Sequence, residues 1–283
     1  MHPSLPLQIP LAAIILFAAE SLATAAAPAP AAPSAPLTLL SRTPDQNAKD
    51  ISPDTLLSLN FNHSPALGTS GQVRIYDAAD DSLVDTLDLS VPLNQQSYTI
   101  ATVQFHAYPV IVQGGAATIH PHNNLLKYGK HYYVQIDPGL LTDGPDPYPG
   151  ITGKDAWTFS TRSAPPAPSD HYTVASAGTG DFATLQGAID FLPIQNPKPV
   201  TLHIQNGTYN EIISLVSKSN IIFLGEDRAQ TILTYANNEK VQLGASSSSR
   251  RGVVNVSRSQ GIAFANLTIK NATPKGTGGG WQA

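Results

Sequence analysis

Between Leu37 and Arg162, hydrophobic and polar positions alternate in short runs, the period-two pattern of strands with one buried face. Leu56-Leu57-Ser58-Leu59-Asn60-Phe61 is one such run. Val73–Tyr76 and Leu83–Leu87 flank Asp77-Ala78-Ala79-Asp80-Asp81-Ser82, which reads as a hairpin connection. Tyr132–Ile136 and Trp157–Thr161 complete the set, and no helical period intervenes. Several short strands with turn residues between them predict a β-sandwich. Ser163-Ala164-Pro165-Pro166-Ala167-Pro168-Ser169 then interrupts the pattern. Proline at that density excludes helix and sheet interior, so residues 163–170 are expected to be a semi-rigid spacer.

From His171 the pattern changes. Tyr172–Ala175 predicts a strand and Gly178-Thr179-Gly180-Asp181 a turn. Phe182, Leu185, Ala188, Ile189 and Leu192 recur at helical spacing, and Pro193 ends the helix. Only strands follow: Val200–Ile204, Asn206–Tyr209, Ile221–Gly225, Val253–Val256 and Ile262–Ile269. Apolar, β-branched runs that keep returning describe stacked rungs, each burying its face on the next. The amphipathic helix is then expected to cover the open end of the stack.

The first residues read as a targeting segment. Leu11–Ala19 is an apolar run of signal-peptide length, too short to span a membrane, and Ala23-Thr24-Ala25 offers a small-x-small cleavage site. The usual positive flank is missing, since only His2 precedes the run. Residues 1–25 are expected to be a signal peptide and 26–36 an Ala/Pro linker, followed by domains at 37–162 and 171–283. Charged residues are 13% of the chain and the net charge is −4, which excludes a basic nucleic-acid or membrane footprint. With no cysteine there is no disulfide, thiolate nucleophile or Cys-based metal site.

Several motifs admit simpler readings. The Gly178–Asp181 turn lacks both the third glycine of a dinucleotide loop and any Gly-Lys-Ser/Thr, so a tight turn is expected. His120-Pro121-His122 has no third ligand nearby and reads as a surface loop. Asp143-Gly144-Pro145-Asp146 with Asp155 lacks calcium-ligand spacing and also reads as a loop. Arg250-Arg251 after four serines suggests a flexible charged loop before a sugar-acid contact.

The first segment resembles a bacterial Ig-like domain family. Pro44–Ala48, Leu125–Val134, Gly139–Asp143 and the closing Trp157–Thr161 carry the resemblance. The second resembles the pectinesterase family. The matching stretches are Val174–Asp190, with Gly178-Thr179-Gly180-Asp181-Phe182 at its centre, Ile204–Glu211, Asn220–Glu226 and Phe264–Asn271. They stand in the family's order and cover the front of its catalytic domain.

That resemblance implies an all-β protein: an Ig-like β-sandwich, then the start of a right-handed parallel β-helix with one N-terminal capping helix. It implies hydrolysis of the methyl esters of polygalacturonate by a nucleophilic Asp and an acid/base Asp, with Gln side chains stabilising the oxyanion and no metal or cofactor. Gln282-Ala283 matches the start of the oxyanion motif, so the resemblance assigns Gln282 that role. The family's substrate-contacting Thr commonly follows the Asn that Asn271 matches. Here Ala272 stands there, and Thr273 is one position off. The Asp pair is expected to lie beyond the matched residues, making this chain a fragment inactive alone. The expected partner is pectin, the expected location the bacterial cell envelope or exterior, and the expected state a monomer. Two alternatives stay open: a non-catalytic adhesion or polysaccharide-binding protein, and another β-helix enzyme such as a pectate lyase or polygalacturonase.

Overall fold

The structure, a computed structural model, describes residues 35–242 and 250–273. The expected signal peptide, most of the linker and Gln282 lie outside the described residues. In chain order the first segment contributes β1 (Leu39–Thr43), β2 (Ala48–Ile51), β3 (Leu57–Phe61), β4 (Ala66–Leu67), β5 (Gln72–Asp77), β6 (Leu83–Asp88), β7 (Ser97–Ile100), β8 (Val103–His106), β9 (Val110–Gln113), β10 (Ala116–Ile119), β11 (His131–Ile136), β12 (Leu141–Asp143), β13 (Asp146–Pro147) and β14 (Thr158–Thr161).

Two sheets dominate this segment, ordered β1-β3-β10-β9 and β2-β14-β11-β5-β6. Alternation explains their burial. Leu57, Leu59 and Phe61 of β3 are buried while Ser58 and Asn60 are half-buried, and Val73 and Ile75 of β5 point inward between Gln72, Arg74 and Tyr76. These residues share one core with Val134, Ile136, Trp157 and Phe159. Trp157 is fully buried, and its Nε1 donates to the carbonyl of Pro44 at 2.8 Å. The predicted hairpin forms: β5 and β6 pair antiparallel, and Asp77 Oδ1 accepts the Ala79 amide in the connection. The loop expected at Asp143–Asp146 is a turn between β12 and β13, where Asp143 accepts the Leu37 amide and meets His63 Nε2 at 3.1 Å.

The second segment holds β15 (His171–Val174), α1 (Leu185–Phe191), β16 (Val200–Ile204), β17 (Gly207–Asn210), β18 (Ile213–Val216), β19 (Ser219–Gly225), β20 (Thr231–Tyr235), β21 (Val254–Ser257), β22 (Gln260–Ala265) and β23 (Thr268–Asn271). All of its strand pairs are parallel, in sheets ordered β15-β16-β19-β22, β17-β20-β23 and β18-β21. Thr201 lies beside Ile222 and Ile222 beside Ala263. The chain therefore returns to the first sheet after 21 residues, 201 to 222, and again after 41, 222 to 263. The second return is longer than the pattern suggested because residues 236–253 intervene between β20 and β21.

Phe182 corrects the helical reading. It is buried, yet it forms an isolated parallel bridge with Val174 before the helix begins. Thr184 caps α1 by accepting the Gly187 amide at 2.9 Å. Leu185, Ala188 and Ile189 turn into the core, and the chain is extended again at Leu192 before Pro193.

The described residues from Pro36 onward form one compact unit. Although the proline spacer is exposed, the two segments are joined elsewhere. The Ser52 amide donates to Gly178 O at 3.2 Å. Arg162 spans the seam, with Nη2 donating to Gly180 O at 2.6 Å and Nη1 to Asp181 O at 3.1 Å. Gly178 has φ +80°, and a Cβ there would sit 3.1 Å from Ile51 Cγ2. The turn thus fits its glycine for backbone and for space. Asp181 closes the turn by accepting the Thr173 amide at 2.8 Å, as a structural turn should.

Candidate functional site

Thr273 sits just past the end of β23, where Tyr235 and Asn271 are register partners. The Ala272 amide extends that ladder to Tyr235 O at 2.9 Å. Beyond β20, Asn237 is fully buried and organises the surroundings. Its Nδ2 donates to Arg250 O at 2.7 Å and Gly252 O at 2.9 Å. Its carbonyl accepts Asn271 Nδ2 at 2.7 Å, and its Oδ1 accepts Gln242 Nε2 at 2.9 Å. Buried amides bring donors and acceptors together, and such a network is stable only when each is satisfied.

Within this cluster the Thr273 hydroxyl donates to Asn271 Oδ1 at 2.8 Å and accepts from Asn238 Nδ2 at 3.2 Å. Its residue is 7% exposed. In this arrangement the hydroxyl is spent on the chain itself. Arg250 and Arg251 are half-buried rather than free, with Arg251 Nη2 3.3 Å from Glu239.

The first segment reaches this cluster directly. Gln242 Nε2 donates to His106 O at 2.8 Å, and its Oε1 accepts the His106 amide at 3.2 Å. Tyr235 OH accepts the Tyr108 amide at 2.8 Å. Below these contacts lies a cleft between the segments, walled by Tyr98, Ile100 and Leu126 on one side and Ile212 and Tyr235 on the other. Asp54, Asp190, Glu211 and His120 also line it.

The electrostatics follow from burial. Desolvation pushes Glu211 up to about 7; the Gln186 and Leu185 amides it accepts pull the other way, while the charges of Asp54 and Asp190 add to the rise. Burial also raises Asp190, against the Gln186 hydrogen bond and the charge of Lys218. Burial pushes His120 down to about 4. Its Nε2 has no hydrogen-bond partner among the described residues. The surface-loop reading of His120-Pro121-His122 is therefore overturned at His120, which is 8% exposed. Pro109 O and Tyr98 OH tie its backbone into the core, at 2.9 and 3.0 Å. His122 does stay partly exposed, stacked on Tyr98 and 2.7 Å from Asp85.

Sequence reasoning placed none of Asp54, Glu211, His120 or Gln242 at a site. Glu211 had a signal, since it closes the Ile204–Glu211 motif. Gln242 and Asp54 had none, because their partners lie over a hundred positions away. Both oxygens of Glu211 are held by backbone amides, so its carboxyl ties the start of α1 to the turn after β17. Among the described residues no group of three or more His, Cys, Asp or Glu is placed to hold a metal ion. No helix among them is long and apolar enough to cross a membrane.

Comparison with known proteins assigns the two segments separately. Residues 171–277 match the pectinesterase family and 33–161 the bacterial Ig-like domain. Pectinesterase 2 of Arabidopsis thaliana is 40% identical over 67 residues, 23% of this chain and 11% of that protein. Pectinesterase 5 of the same plant is 34% identical over 107 residues, 37% of this chain and 18% of that protein. A pectinesterase of Petunia integrifolia is 32% identical over 108 residues, 38% of this chain and 26% of that protein. The chain thus spans roughly a tenth to a quarter of the length of these relatives.

Proposed function

We propose that residues 171–283 are the front of a pectin methylesterase domain, carried behind an Ig-like module (37–162) in a secreted or envelope protein. The parallel sheets are the first turns of a right-handed β-helix, and α1 caps its open end. The observation that carries this reading is the coincidence of the pectinesterase match with the three parallel sheets that begin at His171. A signal peptide at 1–25, the absence of a cofactor and a monomeric state belong to the same proposal.

In the complete reaction one aspartate attacks the methyl-ester carbonyl, and methanol leaves as a second aspartate gives it a proton. Water then releases the galacturonate carboxylate. Gln282 donates to the oxygen that becomes negative in the tetrahedral intermediate, a role worth about 10² to 10³ in rate. Thr273, one position from the family's substrate-contacting Thr, is the candidate for that contact, and its hydroxyl also ties down the end of β23. The aspartates are not among the matched residues, so these 283 residues by themselves release no methanol.

The test is methanol release from highly methylated pectin. A protein joining this sequence to the aspartate-bearing part of the domain is expected to release methanol without shortening the polymer, and Gln282→Ala to slow it by ~10² or more. Unsaturated or reducing chain ends without methanol would instead identify a lyase or a polygalacturonase. Saturable methanol release by the 283-residue chain would overturn the assignment of catalysis to the aspartates.

A further inference from the structure

Strand β15 is an edge of its sheet and carries His171; its neighbour β16 carries His203. Tyr172 and Val174 of β15, and Leu202 and Ile204 of β16, are buried. The alternate residues His171, Thr173 and His203 therefore share the outward face and are exposed. Thr173 is the register partner of His203, so the two imidazoles meet on the diagonal. His171 Nδ1 lies 3.3 Å from His203 Nε2, with ring centroids 5.4 Å apart.

We propose that His171 and His203 form a site for an exchangeable divalent metal ion of tetrahedral preference, zinc or cobalt. Two nitrogens 3.3 Å apart subtend about 107° at a metal held by bonds of ~2.05 Å, close to the tetrahedral angle. A square-planar ion would need them nearer 2.9 Å, roughly the distance two such bonds span at 90°. The other nitrogen of His171 faces a carboxylate: Asp170 Oδ1 is 3.6 Å from Nε2. A small side-chain rotation makes that a hydrogen bond, which places the ring proton on Nε2 and leaves the Nδ1 lone pair toward the ion. Two protein ligands leave two positions for water, so the ion binds weakly and exchanges. The same separation also suits a simple N–H···N bond between neutral rings, and metal titration distinguishes the two.

The full chain, free of any affinity tag and stripped with chelator, is titrated with zinc by calorimetry and with cobalt by visible absorption. One equivalent should saturate the site, and cobalt should show the intense absorption of tetrahedral coordination. His171→Asn and His203→Asn should each weaken binding at least tenfold, and Asp170→Asn by ~10-fold through its partner ring. His131→Asn, on an exposed strand position elsewhere, should change nothing. All four positions are exposed, so melting in chelator should match the parent and exclude misfolding. No binding at millimolar zinc, an octahedral cobalt spectrum, or undiminished binding in both histidine variants would overturn the proposal.

Discussion

Asp54 and Glu211 divide one helix end between them. Asp54 accepts the amides of Ala183 and Thr184, at 3.0 and 2.8 Å, and Glu211 those of Leu185 and Gln186, at 2.8 and 2.9 Å. Thr184 Oγ1 takes the Gly187 amide. The four donors that a helix cannot satisfy internally, Thr184 to Gly187, and the Ala183 amide before them are thus all paired, those of Ala183 and Thr184 across the seam between segments. Negative charge at this end also meets the favourable pole of the helix.

Asp54→Ala removes the acceptor for two amides and for the Thr184 hydroxyl. It should cost about 2–4 kcal/mol, read as a lower melting temperature by calorimetry. Gly187 supplies the control. A Cβ there would stand 2.1 Å from Asp54 Oδ2 and 2.7 Å from Asp54 Cβ, so Gly187→Ala should destabilise the parent protein and cost less, though not nothing, in the Asp54→Ala background, where only the Cβ contact remains. Additive effects would mean that the two residues do not meet.

The buried pair at the cleft predicts a stability optimum in mildly acidic solution. Glu211 has a raised folded-state value of about 7. Its protonated form is favoured on folding, so its contribution is full below the ordinary carboxylate range and is lost as pH rises through about 7. His120 has a lowered value of about 4, so its contribution is full above the ordinary histidine range and is lost as pH falls through about 4. The two windows overlap with opposite slopes, so stability should be nearly level from about pH 4.5 to 6.5 and fall off on either side. Glu211→Gln leaves the His120 contribution unopposed, so stability of the variant should rise with pH between about 4.5 and 6.5; a profile there as level as the parent's would show that another group titrates.

The strands of the core were legible because burial imposes the period. Leu57-Ser58-Leu59-Asn60-Phe61 alternates in sequence as it does in space. β7 to β10 escaped notice, being four residues each, too short to show a period, with Gly114-Gly115 turning β9 into β10. The sequence also placed Phe182 on the helix, because its spacing to Leu185 and Ala188 fits a helical face. Its bridge to Val174 made it strand, a tertiary pairing no local pattern reports. The seam was equally silent. Asp54, Arg162 and Gln242 are ordinary polar residues in sequence, and only the folded chain brings them to Thr184, Gly180 and His106.

That seam has a second anchor, separable from the first. The Tyr108 amide donates to Tyr235 OH, and both polar groups of the His106 backbone bond to Gln242. Tyr235→Phe leaves the Tyr108 amide facing a ring edge with nothing to accept it, at a cost of about 1–3 kcal/mol. Gln242→Ala frees His106 and also strips Asn237 Oδ1 of its donor. Opening this anchor leaves the Asp54 contacts intact, because they grip α1 and not the ends of β20 and β23. Hydrogen exchange on the double variant should therefore show lost protection at the His106 and Tyr108 amides and unchanged protection at Thr184 and Gln186. Equal loss at both places would mean that the two anchors open together and that the seam behaves as one cooperative surface.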